Sequence, residues 1–232
     1  MKLRHSNIRI HPDAIERELV YKPMDVLSLT DIAKALAEIG WVQNSDIYEL
    51  CSRTIFLDDA EHSLFSKNES LRLRTKMEDP INLVRINHKR KEDDESIPYS
   101  IRYMQRASTT NEYDPICQAN LFSFMRGISQ DVVGHVMTEA LNYRGILLAK
   151  DGHEFKLSQQ DKTFYEPDGN NGKSAITYEI ERKHSDIPYN MHISAEFTAR
   201  LLEEIHEYIS KSNMPLKATK QGTYSRGHEL IF

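Results

Sequence analysis

Cysteine is nearly absent from this chain. Its two cysteines, Cys51 and Cys117, are too few for a disulfide framework and form no CxxC metal pair. Long apolar runs are also missing: nothing approaches the about 18 consecutive residues that a membrane-crossing helix needs. Residues 1–22 lack the apolar heart of a secretory signal, so a soluble, cytoplasmic protein is expected, with no membrane partner. Positive charge is not in excess. A formal net charge of −5 gives no overall pull toward nucleic acid, and no nucleic-acid partner is expected. The ten histidines show no HExxH pair, and no GxSxG elbow occurs. Gly172-Lys173-Ser174 ends like a phosphate-binding loop, but Pro167 stands where that loop needs its first glycine, and a strand pattern follows instead of a helix.

What remains is 232 residues, 39% hydrophobic and 28% charged, enough for one domain over residues 1–232 with a sizeable core. The clearest local signal is two-residue alternation. In Glu16-Arg17-Glu18-Leu19-Val20-Tyr21-Lys22, the side chains of Glu16, Glu18, Val20 and Lys22 share one face, while Leu19 and Tyr21 take the other. Ser70 to Lys76 puts Arg72, Arg74 and Lys76 opposite Leu71 and Leu73. Leu83 to Lys91 sets Arg85, Asn87 and Lys89 against Val84 and Ile86, and Ala175 to Lys183 sets Glu179 and Glu181 against Tyr178 and Ile180. Ile97 to Arg106 reads as another strand, with Arg102 and Arg106 in phase.

Between these strands, Ser28 or Thr30 caps a short helix that Gly40 stops. Ala107 to Pro115 reads as a loop, and Cys117 to Leu141 as helical, interrupted near Gly127. Tyr143 to Ala149 and His153 to Leu157 form a hairpin about Asp151-Gly152, with Arg144 at its start and Asp161 after its end. Ser194 caps a last helix with Phe197, Leu201, Ile205 and Ile209 on one stripe.

The signs of the strand charges are segregated: the first and last strands are acidic, the middle ones basic. An ordinary solvated sheet face mixes signs, because like charges facing each other across strands repel. Like-charged rows are stable when something bound lies between them. A polyphosphate answers the basic rows, through charge-assisted hydrogen bonds that arginine makes as a fork. Mg²⁺ or Mn²⁺, which take oxygen ligands and bridge to phosphates, answer the acidic ones.

These residues resemble the CYTH family, the triphosphate tunnel metalloenzymes. Glu16-x-Glu18 is similar to its ExExK strand, Asp58 and Ser70-Leu71-Arg72-Leu73-Arg74 to its turn and SLRxR strand, and Lys89 to the lysine that ends the next strand. Arg144, Asp161, Glu179-Ile180-Glu181 and Lys220 resemble later family positions in the same order, so the likeness spans essentially the whole chain. It implies an α+β fold: an eight-stranded antiparallel barrel, flanked by helices, whose polar interior binds triphosphate with a divalent metal. The implied clamp is Lys22, Arg72, Arg74, Lys89, Arg144 and Lys220. The implied metal ligands are Glu16, Glu18, Asp161, Glu179 and Glu181, with Glu179 and Lys22 as catalytic groups. Val20 departs from the pattern at the motif lysine, and Lys22, two residues on, shares its face. The expected activity is hydrolysis of inorganic or organic triphosphate by a monomer or homodimer, with a class IV-type adenylate cyclase or a non-catalytic polyphosphate or nucleotide binder as alternatives.

Overall fold

The computed structural model describes residues 7–77, 83–92, 94–110, 112–129, 134–182 and 191–232, with the main chain only at 191–194. Eight long strands make the frame: β1 (Arg9–Pro23), β3 (Tyr48–Asp58), β4 (Glu69–Lys76), β5 (Leu83–Glu92), β6 (Ser100–Thr110), β7 (Gly134–Lys150), β8 (His153–Tyr165) and β9 (Lys173–Arg182). Two short strands, β2 (Val42–Gln43) and β10 (Leu216–Ala218), pair with β7 and β1. The helices are α1 (Leu29–Ala37), α2 (Ser63–Ser66), α3 (Pro115–Arg126), α4 (Met191–Lys211) and α5 (Thr223–Ile231).

The antiparallel order β1-β6-β5-β4-β3-β7-β8-β9 returns to its start, because β9 pairs with β1 through Glu18↔Glu181 to Tyr21↔Tyr178. The expected eight-stranded antiparallel barrel with flanking helices is therefore present. Closure leaves the main wall without an open edge and gives every strand one inward and one outward row.

The outward rows are apolar where helices cover them. Leu19, Tyr21, Ile146, Leu148, Leu157 and Ile180 pack with Trp41 and with Ile32 and Leu36 of α1 and Leu202 and Ile205 of α4. Leu71, Leu73, Val84 and Ile86 pack with Leu64 of α2 and Ala119 and Phe122 of α3. Ser28 does cap α1, in a reciprocal box with Asp31, and Gly127 closes α3 at φ 64°, a left-handed position that a Cβ disfavours.

Several boundaries differ from the sequence reading. β6 continues to Thr110, because Ala107 to Thr110 keep their ladder partners on β5. The helical reading ends at Arg126; from Gly134 the chain is β7, paired with β3 as Phe56↔Met137 and Thr54↔Glu139. A short apolar run does not decide between the two periods, and here cross-strand partners do. Val132 and Val133 lie outside the described residues. The hairpin has the expected turn, but β8 runs on to Tyr165, which puts Asp161 inside a strand. α4 starts at Met191, so Ser194 lies within it, and the C-terminal stretch after it contains α5. Among the described residues no helix is long and apolar enough to cross a membrane.

Candidate functional site

The inward rows meet in a charged bore. From β1 come Glu16 and Glu18, from β4 Arg72 and Arg74, from β5 Lys89, and from β9 Glu179 and Glu181, as the alternation predicts. Glu16, Glu18, Arg72 and Glu179 are all less than one-tenth exposed. Burying so many ions is tolerable only when opposite charges meet. Lys89 Nζ donates to Glu16 Oε2 at 2.5 Å, Arg102 Nη2 lies 2.5 Å from Glu18 Oε1, and Lys162 Nζ donates to Glu179 Oε1 at 3.1 Å. Lys156 is in direct contact with Glu181, and Gln160 Nε2 donates to Glu179 Oε2 at 2.5 Å.

Titration follows these pairings. Burial pushes the Glu16 carboxyl up, but the Lys89 ammonium, helped by Arg102 and Arg72, outweighs it and brings it down to about 2. Glu179 is likewise held below the usual carboxylate range: burial opposes this, and Lys162 and Arg102 prevail. Glu18 goes the other way, raised by burial, with Glu179 adding to the rise against the pull of Arg102. Burial, with Arg74 beside it, lowers Arg72 to about 10.

Carboxylate oxygens of Glu16, Glu18 and Glu181 lie within 4.8 Å of one another. Three hard oxygen donors at this separation suit a small divalent cation, so the residues fit the metal that the sequence implies. Deeper in the bore, Glu139 is fully buried; Arg74 Nη2 stands 3.6 Å from it, yet neither carboxylate oxygen has a hydrogen-bond partner among the described residues.

One end of the bore is closed by α5. Tyr224 packs with Phe56, Met137 and Phe164, and its hydroxyl donates to Asp58 Oδ2 at 2.9 Å. Asp58, read as a turn residue, ends β3 and also accepts the backbone N–H groups of Leu64 and Phe65. Arg226 of α5 reaches the bore with Nε and Nη1 buried and without partners among the described residues.

No protein-family model and no curated protein sequence matches the chain. Solved structures do. The PH1819 protein of Pyrococcus horikoshii OT3 is similar over 92% of this chain and 98% of its own, at 14% identity and a TM-score of 0.53. A candidate adenylate cyclase of Bacillus halodurans is similar over 95% and 98%, at 11% identity and a TM-score of 0.49. The Hippeastrum adenylyl cyclase candidate HpAC1, with a dominant triphosphatase activity, is similar over 92% and 95%, at 14% identity and 0.48. The chain has the triphosphate tunnel fold.

Four of the sequence-selected residues stand outside that tunnel. Arg144 faces outward, 57% exposed, with its Nε 3.0 Å from Glu49 Oε1. Asp161 pairs in register with Asn142 and Ile176, both exposed, and accepts from Gln159 Nε2 at 3.0 Å. Both errors are of parity: the two-residue turn fixes Lys150↔His153, and counting along the ladder sends odd-numbered β8 residues outward. Lys22 has the inward parity, but there β1 has left β9 and pairs with β10 through Lys217. It is exposed at the rim and donates to Gln221 Oε1 at 3.0 Å. Lys220 stands at the same rim, donating to the Asp94 carbonyl at 2.5 Å. Val20 is buried opposite Glu179 in register, so no amine enters the tunnel from that position of β1.

The tunnel residues missed in the sequence are Glu139, Lys156, Lys162 and Arg226. Lys156, Ser158, Gln160 and Lys162 share one parity, a signal hidden by ending the strand at Leu157. Arg226 arrives from α5 with no local pattern to announce it.

Proposed function

We propose that the tunnel binds the triphosphate group of a small molecule together with Mg²⁺ or Mn²⁺ and hydrolyses it. The observation that carries this reading is the grouping of Glu16, Glu18 and Glu181 within 4.8 Å, beside the inward bases Arg72, Arg74, Lys89 and Arg102. Arginine forks and lysine ammoniums neutralise phosphate oxygens, and their fixed placement on barrel strands supplies the positioning on which phosphoryl transfer mainly depends. A cation held by Glu16, Glu18 and Glu181 would contribute charge neutralisation at the phosphates. Lys162 and Gln160 hold Glu179 ionised and oriented, so its carboxylate can accept a proton from water only where those bonds yield.

Phosphate release from tripolyphosphate, ATP and thiamine triphosphate with Mg²⁺ or Mn²⁺ tests this reading. Release by the wild type, lost in Arg72→Ala and Glu179→Gln, is expected. Absence of both release and binding in the wild type overturns it, and cyclic AMP formed from ATP would redirect it to cyclase chemistry.

A further inference from the structure

The carboxylates that can gather around a cation are already engaged. Glu16 is held by Lys89, Glu18 by Arg102 and Glu181 by Lys156, from strands β5, β6 and β8. Those same bases are cations that a polyphosphate needs, and an ammonium committed to a carboxylate has fewer donors left for phosphate. Three carboxylates and three bases sum to zero charge. Adding one divalent ion leaves the set at +2 with all three bases released. Nearby, Arg72 Nε and Arg226 Nε and Nη1 are buried donors without acceptors among the described residues, in side chains more than nine-tenths buried. The cavity beside Arg72, Lys89 and Arg102 measures only about 40 Å³. That is room for a few waters.

We propose that Lys89, Arg102 and Lys156 exchange partners: they hold Glu16, Glu18 and Glu181 in the metal-free protein and turn to phosphate oxygens when a divalent cation takes those carboxylates. The exchange rests on the reading of the tunnel as a triphosphate site and adds an order to it, since the cation unlocks the clamp. Cation and polyphosphate then favour each other through the protein as well as through any direct contact, and such coupling is reciprocal.

Lys156 gives the cleanest test, because its removal unlocks one carboxylate without touching a metal ligand. Mn²⁺ binding to the full chain is measured by electron paramagnetic resonance with no phosphate present. Lys156→Met and Lys156→Gln should bind Mn²⁺ roughly ten-fold tighter than wild type, within the usual range of coupling between sites. In saturating Mn²⁺ the same variants should bind tripolyphosphate more weakly. In the wild type, Mg²⁺ alone should speed acetylation of Lys156, read by mass spectrometry, which keeps the test independent of the variants' folding. Unchanged labelling overturns the exchange, as does unchanged or weaker Mn²⁺ affinity in folded variants. A wild type that fails to bind tripolyphosphate even with Mn²⁺ overturns the triphosphate site itself, whatever Lys156 does to Mn²⁺.

Discussion

Lys162 Nζ lies 3.1 Å from Glu179 Oε1, and both side chains are more than nine-tenths buried. Lys162 also donates to Thr223 Oγ1 at 3.0 Å, so one ammonium ties the floor of the tunnel to its terminal helix. Removing one member of such a pair strands the other charge. Lys162→Met should therefore cost about 3–5 kcal/mol in urea unfolding, and the double variant with Glu179→Gln should recover part of that loss. Losses in the two single variants that simply add in the double variant would mean that the pair is not coupled.

Acid sensitivity should track Glu16. Its carboxyl titrates at about 2 when folded, against an ordinary value of 4.5, so the unfolded chain binds more protons between those limits. Stability from this group is complete above about pH 4.5 and is lost as pH falls toward about 2. Glu16→Gln should start less stable at neutral pH, because Lys89 loses its partner, yet lose less on going from pH 5 to pH 3. Parallel pH curves for the two proteins would rule this out.

Arg144→Ala and Asp161→Asn address the two residues that face away from the tunnel. Exposed ion pairs contribute roughly 0–1 kcal/mol, so stability should shift little and tripolyphosphate affinity should stay within about two-fold of wild type. A large loss of affinity in either variant would show that the outer wall takes part in binding.

The alternating rows were legible because barrel strands keep one parity over many residues. Glu16 with Glu18, Arg72 with Arg74, and Glu179 with Glu181 could be paired from spacing alone, and closure did the rest. Parity was lost wherever a strand was read as something else. Calling residues around Glu139 helical hid its inward side chain, and ending β8 at Leu157 made Asp161 look available while concealing Lys162. Tyr224 acts across 166 residues of sequence separation in its bond to Asp58, and no local pattern encodes such a contact.

Gly227 tests how firmly α5 seats. A Cβ there would stand 2.5 Å from Phe164 Cδ1 and 2.6 Å from Met137 Cε. Gly227→Ala should overpack this end and destabilise by about 1–3 kcal/mol, measured by thermal unfolding with limited proteolysis at the C-terminus. An unchanged melting temperature would mean that the helix shifts freely.

The pairing of β1 with β9 sets a condition on biogenesis. Residues 18 to 21 leave the ribosome more than 150 residues before their partners on the closing seam, 178 to 181. Until then the acidic row of β1 must stay hydrated, and one flank of that strand stays unpaired. Topologies dominated by such distant pairings fold in about milliseconds to seconds. Chains truncated before residue 173 should lack a closed barrel and be cleaved readily in β1 by added protease; resistance there would show that the seam is dispensable.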